Sequence, residues 1–239
     1  MSLNNIKIVL IETSHSGNIG SAARAMKTMG LSQLCLVSPK KPIDEQAISL
    51  AAGATDLLEN CQTFSNFNDA VANCQLVIGT SARLRHLQNT LFEPRECAEL
   101  ALQRSLKNKI AIVFGRERIG LTNSELLRCH YHLNIPTNPD YGSLNIAMAV
   151  QLVSYELRMA WRTMQKNPQN PPLADYPTAE VLEHFFAHTD RLYTQLGFIR
   201  NDSVMLKLRR LYQRAELETA ELNLLRGMLT AVEKYTAQK

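Results

Sequence analysis

Residues 8–24, Ile8-Val9-Leu10-Ile11-Glu12-Thr13-Ser14-His15-Ser16-Gly17-Asn18-Ile19-Gly20-Ser21-Ala22-Ala23-Arg24, run from an apolar stretch through a polar loop into a helical pattern, the order used by nucleotide-binding turns. The details differ. There is no Gly-x-Gly-x-x-Gly with an acid about 20 residues on, since that region holds Pro39, Lys40 and Lys41, and there is no Gly-x-x-x-x-Gly-Lys-Ser/Thr. What remains is a helix start with Asn18 and Ser21 able to cap or hydrogen-bond, and Arg24 on roughly the same side as Gly17 and Ser21. Asn18 then reads either as a cap or as a ligand-orienting amide, and Arg24 either as a surface charge or as a fixed cation. Two other apolar runs also end in glycine turns, Gly79-Thr80-Ser81-Ala82 and Gly115-Arg116-Glu117. Glycine lets backbone turn sharply or approach a ligand closely, so three such turns on one sheet edge would make a binding site.

Other chemistries fit less well. Cys35, Cys61, Cys74, Cys97 and Cys129 are odd in number and never paired as Cys-x-x-Cys, which argues against a disulfide framework or a cysteine zinc site. His184 and His188 lie four apart on a helical pattern, yet no Glu follows His184 as in a zinc helix. A strand at 131–135 would put His130 and His132 on one face, but with Cys129 they make three ligands and no fourth. No metal is expected. Lys and Arg number 26 against 22 Asp and Glu, a net charge of +4 that permits an anionic partner without demanding one. No apolar run reaches the roughly 18 residues of a membrane span and no signal core follows Met1, so the expectation is a cytoplasmic protein without a membrane partner.

The elements that would position these residues are short apolar strands at 6–11, 34–37, 76–78, 110–114 and 131–135, separated by amphipathic stretches. Such alternation predicts an α/β fold, a largely parallel sheet covered by helices on both faces, with ligands at the C-terminal ends of the strands. A long helical pattern ends near Gln165. Residues 166–177 then hold Pro168, Pro171, Pro172 and Pro177, a linker composition. Beyond it, 178–196, 204–214 and 218–235 read as helices, giving three parts: residues 1–165, a linker at 166–177, and an all-helical extension at 178–239. In the second of those helices Val204, Met205, Leu208, Leu211 and Tyr212 form an apolar stripe. Lys207, Arg210 and Arg214 lie on another face, with Arg209 near its edge, as a solvated surface or a phosphate-contacting one.

Three ordered motifs carry a family resemblance: 18–27 (Asn18-Ile19-Gly20-Ser21-Ala22-Ala23-Arg24-Ala25-Met26-Lys27), 113–122 (Val113-Phe114-Gly115-Arg116-Glu117-Arg118-Ile119-Gly120-Leu121-Thr122) and 143–149 (Ser143-Leu144-Asn145-Ile146-Ala147-Met148-Ala149). Together they resemble SPOUT-class RNA ribose 2′-O-methyltransferases. Flanking words such as Glu12-Thr13-Ser14-His15 and Cys129-His130-Tyr131, with Gly197-Phe198-Ile199-Arg200 and 206–211 in the tail, are similar to the bacterial TrmJ subfamily along nearly the whole chain. The resemblance implies a parallel sheet with a C-terminal trefoil knot, S-adenosylmethionine as cofactor with no metal, and methylation of a pyrimidine ribose in the tRNA anticodon loop at position 32. Action on another tRNA position or on ribosomal RNA, or RNA binding without catalysis, are the alternatives.

It also implies roles. Cofactor loops would comprise Thr80, Ser81 and Ala82; Gly115, Arg116 and Ile135; and Gly142, Ser143 and Leu144. Arg24 would be the essential arginine, with Asn18, Glu117, Ser143 and Asn145 orienting it, the ribose and the cofactor. A guanidinium is a poor proton acceptor, so Arg24 is expected to grip the target phosphate and steady the forming alkoxide, while a free Glu117 carboxylate is an alternative base. Arg24, Arg200, Lys207, Arg209, Arg210 and Arg214 would contact tRNA phosphates. Members of the family are homodimers, and residues 143–164, apolar on one face with Trp161, suit either a dimer helix or the monomer core.

Overall fold

The computed structural model describes residues 2–81, 91–166 and 174–237. Its sheet is parallel throughout, in the order β3-β2-β1-β6-β4-β7-β5, with β1 Ile6–Ile11, β2 Gln33–Val37, β3 Gln62–Phe64, β4 Leu76–Thr80, β5 Leu91–Phe92, β6 Ile110–Phe114 and β7 Tyr131–Leu133. In register, Ile8 lies opposite Leu34 on one side and Ile112 on the other. β1 and β6 are buried along their whole length, as a strand covered on both faces must be. Lys7 is tolerated inside β1 because its amine donates to Ala70 O and Asn73 Oδ1, each at 3.0 Å.

Alternate residues of β1 feed two cores. Ile6, Ile8 and Leu10 pack with α1 (Ser16–Met29), α2 (Glu45–Ala51), α3 (Thr55–Glu59), α5 (Pro94–Arg104) and α7 (Ile146–Lys166). Val9 and Ile11 pack with α4 (Phe67–Val71) and α6 (Asn123–Leu126) on the opposite face. The expected α/β class with helices on both faces is the one observed. Two edge strands, β3 and β5, were not among the strands the sequence predicts. Every strand being parallel, the ends of β1, β4, β6 and β7 open on one side of the sheet.

The tail is α8 (Ala179–Gln195), α9 (Asp202–Ala215) and α10 (Thr219–Ala237), packed around Leu182, Phe185, Phe186, Leu192, Leu222 and Leu229. It is not a detached unit. Ala179 lies in the α4-side core, and the N–H groups of Ala179 and Glu180 donate to Cys74 O and Ala72 O. Arg104 pairs with Glu216 and stacks 3.9 Å over the Tyr176 ring. Leu211, expected in the apolar stripe of α9, is instead 47% exposed. Pro168, Pro171 and Pro172 fall outside the described residues; among those described, no helix is long and apolar enough to cross a membrane.

A candidate active site between two cavities

Two of the glycine turns expected to approach a ligand do something else. α1 starts at Ser16, so Gly17 and Gly20 are helical. A Cβ on Gly20 would stand 2.0 Å from Ala47 O, and one on Gly17 would stand 2.8 Å from Leu50 Cδ1, so both let α2 lie close against α1. Gly79 lies within β4, where a Cβ would meet Cys129 Sγ at 2.7 Å. Gly115 does serve a tight turn: a Cβ there would come within 2.2 Å of Leu121 N, and the turn closes through Arg116 N–H to Gly120 O and Gly120 N–H to Arg116 O. Asn18 is not the cap of α1; His15 holds that position, and its side chain makes no capping bond.

Asn18 instead sits in the middle of a hydrogen-bond chain that joins the three motifs. Ser14 N–H donates to both Glu117 carboxylate oxygens at 3.1 and 3.2 Å, and Asn18 Nδ2 donates to Glu117 Oε1 at 3.0 Å. Asn145 Nδ2 donates to Asn18 Oδ1 at 2.9 Å, while Asn145 Oδ1 accepts from Ala147 N–H at 2.8 Å at the start of α7. The chain has one polarity, with an ionised carboxylate at one end and a helix N-terminus at the other. Burial would raise the Glu117 carboxyl, but hydrogen bonds from its own backbone N–H, then from Asn18 and Ser14, outweigh it and hold its pKa below the usual value. Glu117 is therefore not the free carboxylate the sequence allowed. Ser143 is exposed and stands apart from this chain.

Arg116 is also committed. Its guanidinium donates to both Glu125 oxygens, at 2.9 and 3.1 Å, and to Glu12, which Lys40 meets from the other side at 2.6 Å. The hydrogen bonds from Arg116 and then Lys40 push Glu12 down to about 2, and the two carboxylates raise Arg116 further. This side chain ties the 115–121 turn to the end of β1 and to α6; only the local backbone is left to line a cavity.

The hydrogen-bond chain through Asn18 links two cavities: Asn18 and Asn145 line the first and Glu117 lines the second. The first, about 560 Å³, is a groove between α1, α2 and α7 lined by His15, Asn18, Ser21, Arg24, Gln46, Asn145, Met148 and Gln151 among others. Arg24 is exposed in it, as its helical position predicts. The second, about 450 Å³, lies at the strand ends and is walled by Thr80, Ser81, Gly115, Arg116, Glu117, Ile135, Gly142, Ser143 and Leu144 with apolar Leu121, Leu133 and Ile146. All the residues expected to form cofactor loops meet there except Ala82, which falls outside the described residues. The cavity is of ligand size and sets aliphatic side chains beside small polar ones and turn backbone; of the two arginines in its wall, Arg116 is paired with Glu12 and Glu125 and Arg118 is exposed. Such a mix of apolar wall and polar backbone suits a nucleoside ligand. Sequence reasoning gave no role to His15, Gln46 or Gln151. The one available signal was a histidine where a cap residue is usual.

Three of the four histidines considered as ligands face other protein groups. His130 Nδ1 accepts from Val77 N–H at 3.1 Å and burial lowers its pKa to about 4, while His132 Nε2 meets Leu126 O at 3.1 Å. Only His132 lies in β7, so the two do not share a strand face as expected. His188 lies 3.0 Å from Glu233.

In the tail, Lys207 and Arg214 are exposed and Arg210 is half-buried. Arg209 departs from its expected role: both its amino groups bind Glu183, and its guanidinium lies 4.2 Å over the Phe186 ring. It fastens α9 to α8 instead of facing a phosphate. Arg200 Nε donates to Gly197 O at 3.3 Å.

Comparison with known proteins locates both parts. The profile of the SpoU rRNA Methylase family matches residues 5–155, and that of the tRNA methyltransferase TrmJ C-terminal domain matches residues 180–239. A Haemophilus influenzae protein named as an uncharacterized tRNA/rRNA methyltransferase is 67% identical over 97% of this chain and 96% of its own. The tRNA (cytidine/uridine-2′-O-)-methyltransferase TrmJ of Photorhabdus laumondii is 54% identical over 98% of each chain. The crystal structure of TrmJ from Z. mobilis superposes with a TM-score of 0.84 at 28% identity, covering 95% of this chain and 98% of that one.

Proposed function

This chain belongs to the SpoU rRNA methylase family, and from that premise we propose that it methylates the ribose 2′-hydroxyl of a cytidine or uridine in tRNA, at position 32 of the anticodon loop. The observation that carries the reading is the pair of cavities linked by the Glu117–Asn18–Asn145 hydrogen-bond chain, one suited to S-adenosylmethionine and the other holding Arg24. When bound, S-adenosylmethionine supplies an electrophilic methyl group.

The chain's own residues do the rest. Thr80, Ser81, Gly115, Ile135, Gly142, Ser143 and Leu144 hold the cofactor, chiefly through backbone and apolar contact. The Arg24 fork grips the phosphate beside the target ribose and opposes the charge that grows on its 2′-oxygen. Asn18 and Asn145, each fixed at both ends of its amide, tie the Arg24 groove to Glu117 in the wall of the cofactor cavity. Holding oxygen and methyl in line at near contact supplies several kcal/mol of the acceleration, of the roughly 7–11 available to ideal orientation.

Residues 1–165 form the catalytic part, 166–177 the linker, and 178–239 an extension that recruits tRNA through Lys207, Arg210 and Arg214. The exposed face of α7, with Met148, Leu152 and Tyr155 next to Leu144, borders the Arg24 groove and suits a homodimer. The testing experiment incubates the protein with methyl-labelled S-adenosylmethionine and bulk RNA, then maps the modified nucleotide. Label on the ribose of C32 or U32 supports the reading; label elsewhere in tRNA or in ribosomal RNA moves the target; none, with RNA still bound, leaves a binding protein.

A further inference from the structure

The reaction releases a proton from the ribose hydroxyl, and the residues assigned so far do not take it. Arg24 stays protonated. Glu117 has its carboxylate occupied by Ser14 N–H and Asn18 Nδ2. Among the described residues lining the Arg24 groove, the only ionisable side chains are Arg24 and His15. We infer that His15 is the proton acceptor of this site, a further catalytic residue; the inference rests on the ribose-methylation reading above.

Three observations point to it. His15 is exposed, three residues before Asn18, and its carbonyl accepts the Asn18 N–H at 3.0 Å, so its backbone is tied to the residue at the centre of the hydrogen-bond chain. It occupies the N-cap of α1, where Ser, Thr, Asp or Asn would stabilise the helix, yet contributes no side-chain cap. The imidazole also has no ion-pair partner among the described residues. Among the described residues, the charged groups around it are Arg24 on α1, Asp44 at the start of α2, whose carboxylate accepts from Ser16 Oγ at 2.7 Å and from Ala47 N–H, and Glu117 beyond Asn18; Asn145 and, from α7, Ala147, Met148 and Gln151 add no charge to the groove. Imidazole is the side chain suited to accept a proton near neutrality.

The step balances simply. The 2′-oxygen forms its bond to the methyl carbon as the carbon–sulfur bond breaks, the sulfur keeps that electron pair as a thioether, and the hydroxyl proton passes to the neutral His15 imidazole and then to water.

The test uses the full-length protein and compares His15→Gln with the wild type. Expected are a fall in kcat of about 100-fold or more, loss of the acidic limb of the pH profile, and little change in affinity for tRNA or S-adenosylmethionine. His15→Asn, a good N-cap, keeps the comparison valid if glutamine disturbs α1. In a wild-type sample with labelled histidine, one of the six imidazoles, assigned by its absence in the variant, should shift when tRNA is added with S-adenosylhomocysteine, where no turnover occurs. An unchanged rate and acidic limb, a loss confined to tRNA affinity, or an unmoved resonance would overturn the inference. Inactivity of the wild type on every RNA would instead sink the proposed function itself.

Discussion

Arg24 and Arg209 are both arginines on amphipathic helices, one in the groove lined by Asn18 and Asn145 and one in the tail, and their surroundings are opposite. Arg24 stands exposed in a groove, while Arg209 is paired with Glu183 and stacked on Phe186. A substrate-facing cation is left without a protein partner so that the substrate can complete it; a structural cation is already completed. By this criterion Arg104 and Arg116 are structural as well, and Lys207 and Arg214 are not.

The sharpest way to break this comparison is Arg24→Ala. Turnover should fall about 10³-fold or more, as for loss of a group that acts mainly in the transition state. Affinity for S-adenosylmethionine, measured by equilibrium dialysis, should change little, because Arg24 lines the other cavity. Arg24→Lys should also fail, a point charge being unable to reproduce a planar fork. A parallel loss of cofactor binding would place Arg24 in the wrong cavity.

Asn18→Ala tests the hydrogen-bond chain itself. It removes the link between Glu117 and Asn145, each left with one unmet hydrogen bond. Turnover should drop about 10²-fold, with cofactor affinity weakened only modestly. Asn18→Asp should be as damaging, since it sets a carboxylate against Glu117. A fully active Asn18→Ala would remove the chain from the mechanism.

How much of this was legible in sequence follows from where each partner lies along the chain. β1 and β6 were readable because burial on both faces leaves unbroken apolar runs. β3, mostly exposed at an edge, and β5, two residues long, leave no such pattern. The motif loops were readable as a set, and they do converge. The pairing of Arg209 was not, because Glu183 lies 26 residues away on another helix. Nor was the role of Gly20, whose need for a small side chain is set by Ala47.

The tail offers a subtler separation. Neutralising Lys207, Arg210 and Arg214 together should weaken tRNA binding and lower the slope of log affinity against log salt by about 2, leaving the melting temperature unchanged. Arg209→Ala should do the reverse, costing about 2 kcal/mol of tail stability through the lost paired and stacked guanidinium while leaving the salt slope nearly intact. Filter binding across a salt series, with calorimetry of the same variants, distinguishes the two. A slope change from Arg209→Ala would mean that the arginine leaves Glu183 to meet RNA.

The smallest effect concerns the structural cation in the wall of the second cavity. Glu12 has its pKa lowered from 4.5 to about 2 by Arg116 and Lys40, so it binds a proton more readily unfolded than folded. Its stabilising contribution is complete above pH 4.5 and is lost as pH falls from there toward about 2. Glu12→Gln should therefore lower the melting temperature by a few degrees at neutral pH and by progressively less in acid. Arg24→Ala should run parallel to the wild type over the whole range, because Arg24 pairs with no carboxylate among the described residues. Glu117 and Glu125, also lowered, keep part of the acid limb in every variant. Thermal melts of the three proteins across this range decide the matter: a Glu12→Gln curve parallel to the wild type would mean that the Glu12–Arg116 pair contributes no net stability, and Arg116 would return to the arginines available for a ligand.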